Sequence, residues 1–239
     1  MLPKTNLSSD TNFDKITAVI PVREDSSRIP KKVLLPFNNE MNLLEWKISQ
    51  LMEVLSKNRI VVSTNSPNLI SIARNAGVEY HHRSDHLCEG HKASFSEVIT
   101  GVIKDIPTPH FAWVTVVVPL MKPIDYKRAF ECYIKYVMQN NNHDSLFSAN
   151  ILKEYLWDER NPINYQADKN HTISQNLPNI YKVTNALYMR DKASTLRDGY
   201  FLGQNPYKYV VDKSAAIDID EWEDYEFAKR MIPFYESQL

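Results

Sequence analysis

Glycine is scarce in this chain, five residues of 239. Neither G-x-G-x-x-G nor the P-loop pattern occurs, so a glycine-rich phosphate cradle is excluded and side-chain cations must hold any bound phosphate. Cysteine is scarcer still. Cys88 and Cys132 are the only two, which gives no disulfide framework and no zinc spacing and fits a reduced, cytoplasmic compartment. No charge of one sign prevails: the formal net charge is -1, so there is no global pull toward nucleic acid or membrane, and any polyanion site is local. No stretch approaches the length of a membrane span. The opening MLPKTNLSSDTNF lacks an apolar signal core and reads as a flexible tail over residues 1–14, ahead of a single domain over 15–239.

What is present is concentrated near the start. Ile16 to Val22 is an apolar run that breaks into a loop holding Arg23, Arg28, Lys31 and Lys32. Such a run reads as a buried strand of a parallel sheet, and the loop leaving its carboxyl end is where open α/β sheets bind ligands. Four cations there suit a polyanion, a nucleoside triphosphate first of all. Near the other end, Ala216-Ile217-Asp218-Ile219-Asp220 sets two carboxylates two residues apart. On a strand they point the same way, and paired carboxylates can hold a divalent metal. Cationic loop and metal carboxylates together outline a nucleotidyl-transfer site.

Between them, strands and helices alternate. Strands are expected at Ile16–Val22, Arg59–Ser63, Phe111–Val118, Asp144–Ile151, Lys182–Met189 and Tyr207–Val211. Helices are expected at Asn42–Ser56, from Ser66-Pro67 to Ala76 with Gly77 as the C-cap, and at Lys92–Lys104, Tyr126–Met138 and Glu221–Tyr235. The rhythm argues a three-layer α/β fold with a mostly parallel sheet. Residues 153–182 break it and read as an excursion from the sheet used for dimer contact, with Tyr155, Trp157 and Tyr165 as interface aromatics.

The quoted stretches, taken in order, resemble the acylneuraminate cytidylyltransferases, or CMP-sialic acid synthetases. IPVREDSSRIPKKV is similar to that family's I-P-A-R-x-G-S-K-x-I-P-x-K-N loop. VVSTNSPNLISIARNAGVEYHHRSDHL resembles its S-T-D … I-A … G … R stretch. ISQNLPNIYKVTNALYMR resembles its R-R-Q-D-L-P … Y … N-G-A-I-Y, and AAIDIDEWEDYEFAKRM its closing D-I-D-x-P-E-D-x-x-x-A. The resemblance runs from about Ile16 to about Met231. It implies a Rossmann-like nucleotidyltransferase fold, a homodimer, and Mg²⁺-dependent transfer of CMP from CTP to an acidic keto-sugar with release of pyrophosphate. By motif, Arg23 and Lys32 grip the triphosphate with Ser26 and Arg28 nearby, and Arg83, Ala93 and Ser94 lie along the cytidine pocket. Asp218 and Asp220 bind Mg²⁺ beside the acceptor, and Gln175 sits near the substrate.

The chain also departs from the family pattern. Glu24-Asp25 and Ser27 stand in the loop where the family has a glycine and a lysine, and Val33 replaces an asparagine. Val118-Pro119-Leu120-Met121-Lys122-Pro123 replaces Q-P-T-S-P-L-R, leaving Lys122 as its basic end. Two further readings follow. One is the same transfer onto another acid, Kdo-like or a phosphonate. The other is a catalytically silent homologue that binds CTP or CMP. Structural readings stand beside the functional ones: a solvated charged turn for the Arg/Lys loop, a helix cap for Asp218 or Asp220, and a surface arginine for Arg83. His81, His82, His86, Cys88 and His91 crowd one segment, but their spacing fits no standard zinc site. A polar loop over the nucleotide is the expectation there.

Overall fold

A strand apolar on both faces needs a layer on each, and that requirement organises the molecule. The structure, a computed structural model, describes residues 13–89 and 92–239. The strands are β1 (Ile16–Pro21), β2 (Pro36–Asn38), β3 (Met41–Asn42), β4 (Ile60–Thr64), β5 (Glu79–His82), β6 (His110–Val114), β7 (Ser145–Leu152), β8 (Ile180–Asp191) and β9 (Pro206–Val210). The helices are α1 (Leu43–Met52), α2 (Pro67–Ala76), α3 (Asp85–Cys88), α4 (Phe95–Ile103), α5 (Pro123–Tyr133), α6 (Lys192–Asp198), α7 (Trp222–Arg230) and α8 (Ile232–Glu236).

β2 and β3 pair as a small hairpin, and the other strands form one sheet in the order β5-β4-β1-β6-β8-β7-β9. Neighbours are parallel except at β8, which runs antiparallel to β6 and β7. Alternate residues of β1 feed different layers. Ile16, Ala18 and Ile20 join the core shared with α1, α2, α5, α7 and α8, while Val19 joins Val61, Trp113 and Phe147 under α4. This is the mostly parallel, three-layer architecture expected from the alternation.

Local signals set the helix ends. Asn42 caps α1 by accepting from the backbone N–H of Leu44 and Glu45, and the Glu45 carboxylate closes the box on Asn42. Ser66 caps α2, Pro67 opens it, and Gly77 ends it at φ 75°. Upstream of β1, Phe13 packs edge-on against Phe130 at 5.6 Å; residues 1–12 of the expected tail lie outside the described residues.

Several expectations need correction. The apolar run from Phe111 leaves the sheet after Val114, not Val118. Val116, Val118, Leu120 and Met121 are buried in the core beside α1, so their apolarity serves packing rather than the ladder. Glu79–His82 is an edge strand, not part of a loop, and its largely exposed side chains carry no apolar alternation to announce it. Asp218 and Asp220 are not on a strand: a short 3-10 turn at Ser214–Ala216 leads into an extended segment. That segment is tied to the chain that follows β6, where the Ile219 N–H donates to the Val117 carbonyl at 2.9 Å. Helix α6 had no counterpart in the sequence reading.

Candidate functional site

Two clefts open at the carboxyl edge of the parallel strands, where such sheets bind ligands. The first, about 620 Å³, lies between the loop after β1 and the start of α2 and is lined by Arg23, Glu24, Asp25, Asn65, Ser66 and Cys88 among others. The Arg23 guanidinium reaches across to donate to the Cys88 carbonyl at 3.1 Å. Arg83 is buried beneath the loop. Its Nη2 donates to the Val22 carbonyl and its Nε to the Cys88 sulfur, both at 2.9 Å, so it braces the chain where the strand becomes the loop. The carboxylate of Glu24, which would repel a phosphate, is turned onto α2: it accepts from the Ser66 hydroxyl and from Asn68 Nδ2 at 3.1 Å, with Lys31 Nζ at 3.8 Å. The Ser66 hydrogen bond is the main cause that holds Glu24 below the usual carboxylate range.

The second cleft, about 570 Å³, is bounded by the end of β7, the start of β8, the 213–220 segment and α7. Asn150, Lys182, Asn185, Lys213, Asp218, Asp220 and Phe227 are among its lining residues. Beside it, residues from opposite ends of the chain meet. The ammonium of Lys32 donates to the Ile219 carbonyl, between the two aspartates. Burial pulls the Lys32 pKa down while Asp220 and Asp218 hold it up. Arg28 Nη2 donates to Asp220 Oδ1 at 2.5 Å, and Arg28 Nη1 lies 3.7 Å from Glu221 Oε1. Neither Asp218 nor Asp220 caps α7. Glu221 stands at the N-cap, and Asp224 in the first turn closes the capping box by accepting from the N–H groups of Asp220 at 3.0 Å and Glu221 at 2.8 Å.

Asp218 is the more buried aspartate, and burial pushes its carboxyl up. Its Oδ2 accepts from Asn185 Nδ2 at 3.0 Å, while its Oδ1 is buried with no hydrogen-bond partner. An unpaired buried carboxylate oxygen is costly, and with Asp220 close by it offers hard oxygen donors of the kind Mg²⁺ takes in ones and twos, substrate phosphates completing its shell. The residues therefore fit Mg²⁺. Among the described residues no group of three or more His, Cys, Asp or Glu is arranged for a metal; His91 lies outside the described residues.

Ser26 stays in the loop after β1, half-buried. Ala93 is half-buried at the start of α4, and Ser94 caps that helix, its hydroxyl engaged with Glu97. Lys122 stands at the N-terminus of α5 and Gln175 on an exposed 3-10 turn; neither lines the two clefts. Val33 is a core residue. The Val118–Met121 segment is clamped from α1, the Val118 carbonyl by Lys47 at 2.9 Å and the Pro119 carbonyl by Trp46 and Gln50 at 2.9 and 2.8 Å. His81 lines a separate cleft of about 290 Å³. It touches Ser63 Oγ at 3.0 Å and Asp105 Oδ2 at 3.1 Å, but Ser63 is fully buried in the sheet, where no acyl substrate reaches it. Asn185, Thr115, Lys182 and Lys213 were not singled out from the sequence. The signal for Asn185 was available: it falls within the stretch similar to N-G-A-I-Y.

A family model described as cytidylyltransferase matches residues 17–237. The pseudaminic acid cytidylyltransferase of Campylobacter jejuni is 24% identical over 227 residues, covering 90% of this chain and 95% of that one. The N-acylneuraminate cytidylyltransferase of Escherichia coli is 23% identical over 223 residues, covering 90% of this chain and 51% of that one. Among solved structures, CMP:2-keto-3-deoxy-manno-octonic acid synthetase complexed with CTP superposes with a TM-score of 0.67 at 13% identity, over 94% of this chain and all of that one, which is a likeness of fold.

Proposed function

The chain belongs to the cytidylyltransferase family, and from that premise we propose that it transfers CMP from CTP to an acidic keto-sugar of the sialic or pseudaminic acid kind, with Mg²⁺ as cofactor. The observation that carries this reading is the Lys32 contact. It joins the cationic loop after β1 to the Asp218–Asp220 segment, 187 residues away, in one place. In the reaction a hydroxyl oxygen of the acceptor bonds to the α-phosphorus as the bond to the bridging oxygen breaks. Pyrophosphate leaves and the hydroxyl proton is released. Arg23, at the mouth of the first cleft, takes triphosphate charge, and Glu24 is held out of the way by Ser66 and Asn68. Lys32 and Arg28 place positive charge between the nucleotide loop and the acceptor cleft. Lys182 and Lys213, on the wall of the second cleft, suit an acceptor that carries a carboxylate. Asp218 and Asp220 would hold Mg²⁺, which when bound neutralises charge on the phosphate oxygens. Most of the catalytic effect is alignment of hydroxyl, phosphorus and leaving group.

We also place the enzyme in the cytoplasm as a homodimer. Both cysteines are free, and no described helix is long and apolar enough to cross a membrane. The 153–182 excursion exposes Trp157, Ile163 and Ile173, each more than half accessible, beside a ring cluster of Tyr155, Tyr165 and His171. The function is tested by pyrophosphate release from CTP with Mg²⁺ against sialic, pseudaminic, legionaminic and Kdo-type acids. Release with one acid identifies the acceptor. CTP binding without release from any acid contradicts the assignment and favours a silent homologue.

A further inference from the structure

Strand β8 does not pair evenly with β7. Phe147 is opposite Tyr188 and Ala149 is opposite Val183, so residues 184–187 of β8 lie against Ser148 alone. The buried Ser148 hydroxyl fills the gap, accepting from Thr184 Oγ1 at 2.7 Å and from the Leu187 N–H at 3.0 Å. Of these residues Thr184 and Asn185 line the second cleft, and Asn185 has φ at 58°. That left-handed region favours glycine, and asparagine is among the few other residues that enter it readily. Aligning Ala186-Leu187-Tyr188 on the A-I-Y of N-G-A-I-Y puts the motif's glycine at Asn185. The backbone requirement is thus the same, but a side chain has been added.

That side chain is fully specified. The Tyr188 hydroxyl donates to Asn185 Oδ1 at 2.6 Å, and Asn185 Nδ2 donates to Asp218 Oδ2 at 3.0 Å. The amide cannot be reversed, because an ionised carboxylate only accepts and its neighbour must therefore be the NH₂ group. The backbone is held as firmly: Thr115 Oγ1 donates to the Asn185 carbonyl at 2.7 Å and the Thr115 N–H to the Ala186 carbonyl at 3.3 Å. With Oδ2 engaged by the amide, Asp218 keeps Oδ1 as its uncommitted oxygen. From this geometry we infer that Asn185 is a positioning residue that fixes the Asp218 carboxylate so that Oδ1 is presented to a divalent cation, a role for a side chain at a place where the family motif has none. This rests on the metal assignment of Asp218 in the proposed function.

The substitution Asn185→Gly separates the roles, because glycine accepts φ 58° without strain and only the amide is lost. Binding of Mn²⁺, followed by loss of the free-ion electron paramagnetic resonance signal, is to be measured for the intact protein, Asn185→Gly, Tyr188→Phe and Asp218→Asn, with melting temperature as the control for folding. Loss of a group that orients a metal ligand lowers affinity by about 10- to 100-fold. The expected result is a drop of that order in Asn185→Gly with an unchanged or higher melting temperature, and a smaller drop in Tyr188→Phe. In turnover, Asn185→Gly is expected to raise the Mg²⁺ concentration giving half-maximal rate and to leave the KM for CTP unchanged. If Asn185→Gly binds Mn²⁺ as the intact protein does while Asp218→Asn does not, the positioning role is overturned and the metal site stands. If neither substitution weakens Mn²⁺ binding, the metal assignment is overturned and the positioning role falls with it.

Discussion

Lys47 sits on the inner face of α1, wholly out of solvent, with the Val118 carbonyl at 2.9 Å and the Tyr126 hydroxyl at 2.7 Å as partners. Burial pulls its ammonium down to about 7, whereas a lysine in the unfolded chain titrates at about 10.4. Between those values the unfolded chain binds a proton that the folded chain does not, so stability rises with pH across the window. Below it both states are protonated and this contribution no longer changes. The urea midpoint is therefore expected to rise from pH 7 to pH 9, and less steeply in Lys47→Met; equal slopes would contradict the assignment. In the sequence nothing marks Lys47. A lysine within an amphipathic helix reads as solvated, and only the return of residues 118–121 across α1 buries it. Arg28, Lys32, Asp218 and Asp220 were legible as single residues because cations after a first strand and paired carboxylates are unusual patterns. Their mutual contacts were not, since a spacing of 187 residues carries no geometry.

Regular elements with strong end signals were legible. Ser66-Pro67 and Gly77 bound a helix that the structure reproduces, whereas the helix expected over Asn42–Ser56, with no stop signal of this kind, begins at Leu43 and ends at Met52. Irregular elements were not. Hydropathy does not mark the β8 bulge, because Lys182, Thr184 and Asn185 interrupt the apolar run without fixing a register, and the 216–220 segment looks like a strand because extended chain beside a core is apolar whether or not it joins a ladder. The bulge depends on the Ser148 hydroxyl, which satisfies the Leu187 N–H inside the sheet. Ser148→Ala leaves that buried donor unpaired, a cost of about 1–3 kcal/mol. Chemical denaturation is expected to show a loss of that size, together with reduced metal affinity, because the same bulge carries Asn185. A loss below a few tenths of a kcal/mol would show that the bulge does not need the hydroxyl.

At the scale of the molecule, the fold class was legible because strand–helix alternation admits few layered solutions. The excursion at 153–182 was recognisable only as a break in that rhythm. Its exposed Trp157, Ile163 and Ile173 are the apolar surface through which we propose that two copies meet. Sedimentation is expected to give a dimer, and Trp157→Asp with Ile163→Asp to give a monomer; a dimer unchanged by both would move the interface elsewhere. The central claim is that one site, assembled from the loop after β1 and the Asp218–Asp220 segment, transfers CMP. Its most direct test is pyrophosphate release measured beside CTP binding for the intact protein, Arg23→Ala and Asp218→Asn, with the acid that supports turnover. The expected result is weakened CTP binding in Arg23→Ala, and in Asp218→Asn retained CTP binding with release reduced by about 100-fold or more, the order seen when a group that stabilises developing charge is removed. Release at the intact rate from Asp218→Asn would contradict the account.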